Sequence, residues 1–203
     1  MEVFLRATEV IDWTHPSVSA KAKELSEGAR DASEIARRCF EWVRDGIQHS
    51  SDFKRNPVTC NASDVLREGT GYCYAKSHLL AAILRANGVA TGFCYQRLSI
   101  DETGPPYSLH GLNAVHLPEF GWYRVDARGN KPGVDAQFSP PVEQLAFRLN
   151  FPEERSFPDI LTEPLPVVIG ALRAHTTWDA MLANLPDWDR PTLQSQCHGE
   201  TCS

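Results

Sequence analysis

An α+β fold is the expectation for this 203-residue chain. Helix-period patterning dominates up to Gly88, and strand-like patterning takes over from Thr91 to Asp126. A turn-rich, proline-punctuated stretch follows, and two short helical patterns finish the chain. Helices gathered before strands, rather than alternating with them, predict an antiparallel sheet covered by helices on one side.

The elements follow in order. Val3 to Trp13 alternates loosely and reads as a strand. Pro16 to Glu27 reads as a helix, with proline at its first turn, where the missing N–H costs nothing. Asp31-Ala32-Ser33-Glu34 has the form of a capping box and opens a helix from Ile35 to Arg44. Ile35, Cys39, Trp42 and Val43 share one face of it. Ser50 to Pro57 is a loop, and Ala62 to Arg67 a short helix. A third long helix starts at Cys73, runs through an apolar stretch to Ala86, and stops at Asn87-Gly88. Thr91 to Leu98 is strand-like, and Asp101 to Ser108 is a loop. After the strands, Ala127 to Phe138 is a polar loop, and helices are expected over Val167 to Ala174 and Thr177 to Leu185.

Cys73 carries the first chemical signal. It ends Gly69-Thr70-Gly71-Tyr72 and begins a helix. A thiol there feels the positive end of the helix dipole and lies among unpaired backbone N–H groups. Both favour the nucleophilic thiolate. The bland reading is a small buried residue at the first turn of a core helix.

The second signal is Leu109 to Asp126, two strands joined by a Pro118–Gly121 turn. If His116 pairs with Trp122, Leu112 lies opposite Asp126, and His110 and Asp126 become diagonal neighbours on one face. Diagonal neighbours sit about 7–8 Å apart at the backbone, within side-chain reach. A carboxylate there holds one imidazole nitrogen and leaves the other for a thiol.

Gly71-Tyr72-Cys73-Tyr74-Ala75, Leu84 to Val89, His110 to Pro118 and Gly121 to Asp126 together resemble the transglutaminase-like superfamily. The resemblance runs from Gly69 to Asp126. It implies a papain-like fold and a Cys73-His110-Asp126 catalytic triad acting on a peptide or amide substrate. It also implies an oxyanion donor just upstream of the cysteine. The Cys73 backbone N–H is one such donor; Gln48, His49 and Trp42 are the side-chain choices. Tyr72, Trp42, Arg128 and Asn130 are candidate substrate contacts, and Asp135 is a rival to Asp126 as orienter. The chain departs from family habit at Gly111-Leu112 and Ala127-Arg128, near the acyl-acceptor side, which favours hydrolysis over crosslinking. The superfamily also contains catalytically dead members, so an inactive binding module is the competing class.

Composition bounds the rest. One domain over 1–203 fits the length. The formal net charge is −6 with no Lys/Arg run, which argues against nucleic acid as partner. No stretch approaches the roughly 20 apolar residues of a membrane span. Met1 to Arg6 lacks the form of a signal peptide, so the expected setting is the cytoplasm, with reduced cysteines. No cofactor or metal is expected: Cys39, Cys60 and Cys94 have no ligand-like spacing, and Cys197-His198 with Cys202 offer three soft ligands where structural zinc takes four. Residues 190–203 read as a flexible tail.

Overall fold

The computed structural model describes residues 1–101 and 103–189. The expected tail, with Cys197, His198 and Cys202, lies outside them. Helices α1 (Pro16–Ser26), α2 (Ala32–Gly46) and α3 (Ala62–Glu68) precede α4 (Cys73–Ala86). A two-stranded parallel pair joins β1 (Gln48–His49) to β2 (Thr70–Gly71). The main sheet is antiparallel, in the order β5 (Gly121–Val125), β4 (Tyr107–Leu117), β3 (Thr91–Ser99), β6 (Arg155–Ser156). Helices α5 (Pro166–Ala174) and α6 (Trp178–Leu182) follow.

Local chemistry sets the boundaries. His15 accepts a hydrogen bond from the Ser17 amide just before Pro16 opens α1. Asp31 caps α2 by accepting from the Glu34 amide at 2.8 Å. Glu34 does not complete the box; its carboxylate holds Arg30 and Arg38 instead. Gly69, with φ +64°, ends α3 in the left-handed conformation that favours glycine.

Helix α4 is the axis of the molecule. Every residue from Cys73 to Arg85 is buried, the polar ones included. Buried charge is tolerated only where it is bonded. Lys76 Nζ donates to the Arg44 and Ile47 carbonyls at the end of α2, at 3.1 and 2.5 Å. Arg85 donates to the carbonyls of Thr91, Arg6 and Thr162. Burial brings Lys76 down to about 7 and Arg85 to about 10. Asn113 Nδ2 on β4 donates to the Ser77 carbonyl, tying the helix to the sheet. Gly111 on β4 lies against α4: a Cβ there would sit 3.0 Å from Tyr74 Cδ1 and 3.3 Å from Tyr74 Cα.

The N-terminus departs from expectation. Val3 to Trp13 forms no strand; a 3-10 turn spans Glu2–Leu5 and irregular chain follows. Alternation alone makes no strand without a free sheet edge to pair with. Here Trp13 Nε1 folds back to donate to the Leu5 carbonyl, and the Phe4 ring packs edge-on against Trp122.

Candidate active site

Cys73 is the first residue of α4 and 7% exposed. Tyr72 precedes it without a side-chain cap. The chain arrives through β2, whose Gly71 pairs with His49 of β1. That pairing brings the His49 imidazole edge-on to the Tyr72 ring, 5.4 Å between centroids. His49 Nδ1 bonds the Ser51 hydroxyl at 3.1 Å. Burial, helped by the nearby Arg128 guanidinium, pushes His49 well below its usual range against the pull of Asp52, so its ring is neutral.

The β4–β5 ladder has the register read from the sequence: His116 pairs with Trp122, and Asn113 with Val125. One step further, Asp126 lies across from Leu112, diagonal to His110. His110 Nε2 donates to Asp126 Oδ2 at 2.7 Å. The Cys73 sulfur lines the same cleft as this imidazole and interacts with it electrostatically. With Nε2 taken by Asp126, Nδ1 is the nitrogen left for sulfur.

Burial alone would lower the His110 pKa. Asp126 and the Cys73 sulfur outweigh it and push the imidazolium up to about 10. Asp126 is wholly buried, which disfavours its charge. His110 and two backbone amides nevertheless hold it below the ordinary carboxylate range: Ala146 N donates at 3.1 Å and Arg128 N at 3.2 Å. The Phe147 ring stands edge-on to His110, 4.9 Å between centroids at 90°.

These groups line a cleft of about 280 Å³ that includes His49, Asp52, Tyr72, Cys73, His110 and Arg128. Arg128 is nearly buried and forms a two-pronged ion pair with Asp52, at 2.6 and 3.0 Å. Lys131 reaches the same carboxylate at 2.8 Å. Although burial opposes it, the two cations hold Asp52 far below its ordinary range.

Cys73, His110 and Asp126 are thus brought together, and Tyr72 and Arg128 line the cleft with them. Four other expected residues lie elsewhere. Gln48 faces away from its β1 neighbour His49, and its side-chain oxygen accepts from Arg55 at 3.1 Å. Trp42 lies beneath the Lys21 ammonium, 5.0 Å from its ring centroid. Asn130 bonds Asp135 and the Ala136 carbonyl. Asp135 spends its carboxylate on the amides of Asn130, Gln137 and Gln144 and makes no bond to His110. Sequence reasoning missed Phe147, Lys131 and the Ala146 amide, which sit in loops without regular patterning. Among the described residues, no group of three or more His, Cys, Asp or Glu side chains could hold a metal ion. No helix there is long and apolar enough to cross a membrane.

Comparison with known proteins agrees with this architecture. The sequence profile of the transglutaminase-like superfamily matches residues 19–127, more than half of the chain and all of Cys73, His110 and Asp126. The chain belongs to the transglutaminase-like superfamily, and its fold is the papain-like α+β fold of that family. A candidate cysteine protease from Cytophaga hutchinsonii superposes with a TM-score of 0.50 at 17% identity, covering 62% of this chain and 40% of that one. The periplasmic domain of TgpA from Pseudomonas aeruginosa gives a TM-score of 0.47 at 20% identity, covering 61% of this chain and 45% of that one. At such identities the likeness is one of fold, and this chain spans less than half the length of either structure. No curated protein matches the sequence.

Proposed function

We propose that the protein is a cysteine-dependent amidase or peptidase acting through Cys73, His110 and Asp126. The observation that carries the reading is one imidazole bonded to a buried carboxylate at 2.7 Å and sharing a cleft with a cysteine at a helix start. Cys73 Sγ attacks an amide carbonyl carbon, and His110 holds the thiol proton. The carbon–nitrogen bond breaks as His110 delivers that proton to the departing amine, leaving a thioester. Water, deprotonated by His110, then releases the acid and restores the thiol. Asp126 keeps the imidazole oriented and its positive form stable.

The oxyanion needs donors aimed at it. The Cys73 backbone N–H is one, since the first amides of a helix have no intrahelical partner. His49 replaces Gln48 as the side-chain candidate. Its ring is neutral and lines the cleft; in the tautomer in which Nδ1 accepts from the Ser51 hydroxyl, Nε2 carries the hydrogen.

Hydrolysis is favoured over crosslinking because the chain departs from family habit at Gly111-Leu112 and Ala127-Arg128. The substrate is a peptide, isopeptide or glutamine amide. A single domain over 1–203 and a cytoplasmic setting complete the proposal; the first is supported by one core shared by helices and sheet, the second by the reduced thiol the chemistry needs. The test is hydrolysis of a peptide and glutamine-amide panel by wild type, Cys73→Ala and His110→Ala, with folding checked by circular dichroism. Both variants should lose turnover and keep the fold. A Cys73→Ala enzyme retaining about a tenth or more of the rate would remove Cys73 as nucleophile. No turnover in any of them would favour an inactive binding module.

A further inference from the structure

The cleft does not end at Cys73. It opens into a neighbouring groove of about 1010 Å³, and six residues line both: Ile100, Arg128, Lys131, Phe147, Arg148 and Asn150. Half of these are cationic and none is acidic, in a chain of net charge −6. Every other carboxylate along the two spaces is committed. Asp52 is shared by Arg128 and Lys131, so one negative charge faces two positive ones. Glu154 accepts from the backbone amides of Ser99, Asn150 and Phe151. Glu143 is held by Arg124, and Asp135 by side-chain amides. Arg148 is exposed and has no acidic partner among the described residues. The Lys131 side chain is 43% exposed, and its ammonium keeps donors beyond the one given to Asp52.

Position says which part of a substrate meets these charges. The Arg128 guanidinium lies over the Phe147 ring, 5.6 Å from its centroid, and that ring abuts His110. The cationic junction is therefore on the side of the imidazole, which serves the departing amine. We propose that the junction is an anion subsite, and that the preferred substrate carries a carboxylate on the leaving-amine side of the scissile amide. Lys131 and Arg148 supply its donors, and Arg128, fixed by Asp52, supplies background charge. This rests on Cys73 being the nucleophile.

Alkylation of Cys73 by small peptide electrophiles tests the subsite without knowledge of the natural substrate. Three probes suffice: bromoacetyl-Gly-Glu-Glu-amide, bromoacetyl-Gly-Gln-Gln-amide and bromoacetyl-Gly-Gln-Gln with a free terminal carboxylate. At low salt the Glu probe, the free-acid probe or both should label Cys73 about ten-fold faster than the neutral amide. Which one does so separates an acidic side chain from a chain-terminal carboxylate. The ratio should fall towards one in Lys131→Gln/Arg148→Gln, and also at about 1 M salt, where the screening length is only about 3 Å. Rapid but equal labelling by all three probes would overturn the subsite and leave the nucleophile standing. Labelling of Cys73 no faster than that of glutathione would overturn both.

Discussion

The charge of His110 belongs to its surroundings. Burial removes the water that would stabilise an imidazolium, and alone it would leave the ring neutral. Asp126, itself charged only because His110 and two amides hold it, reverses that outcome. Asp126→Asn keeps the shape and removes the charge. The alkaline limb of kcat/KM should then move from near 10 towards neutral pH, and the rate should fall by about 10–10⁴-fold. An unmoved limb would mean that Asp126 does not act through His110. For His49 the expected signature is in kcat: His49→Ala should lower it about 10²–10³-fold with little change in KM, and His49→Gln, which restores an N–H donor, should recover part of it. Equal kcat in wild type and His49→Ala would leave the backbone amide of Cys73 as the proposed donor.

At the scale of elements, the site depends on how closely β4 approaches the start of α4. Gly111 permits that approach, because any side chain there meets the Tyr74 backbone as well as its ring. Gly111→Ala should push the strand and helix apart by a few tenths of an ångström and lower kcat/KM about ten-fold or more, with a smaller effect on melting temperature. Full activity in this variant would show that the contact relaxes without moving His110 from Cys73. Much of this layout was legible in sequence. Pro16, the Asp31 cap and Asn87-Gly88 punctuate the helices as written, and the Pro118–Gly121 turn fixed the register that sets His110 diagonal to Asp126. Less legible was which residue of β1 faces the cleft. In a two-residue strand Gln48 and His49 point opposite ways, and the choice depends on pairing with β2, 22 residues away at Gln48↔Thr70. The loop that delivers Phe147 and the Ala146 amide has no periodicity to read.

For the whole molecule, the buried ion pair couples stability to pH. The His110 pKa is raised, so its contribution is complete below the unfolded value of 6.5 and is lost as pH rises through about 10. The Asp126 pKa is lowered, so its contribution is complete above 3.8 and is lost as pH falls through the lower folded value. His49, His78 and Lys76, all lowered by burial, act in the opposite sense to His110: like Asp126, they cost the fold stability as pH falls. Comparing wild type with Asp126→Asn largely cancels them. The difference in melting temperature should be greatest between about pH 4 and 6.5 and shrink towards pH 10; a difference independent of pH would show that the pair carries no such linkage. The central claim is that sulfur, imidazole and carboxylate act as one unit, and the most direct measurement is the rate of Cys73 alkylation by iodoacetamide at pH 7, read by peptide mass mapping. Wild-type Cys73 should react at least about ten times faster than glutathione, and His110→Ala should bring it down to the rate of an ordinary thiol or below. Equal Cys73 rates in wild type and His110→Ala would contradict the account.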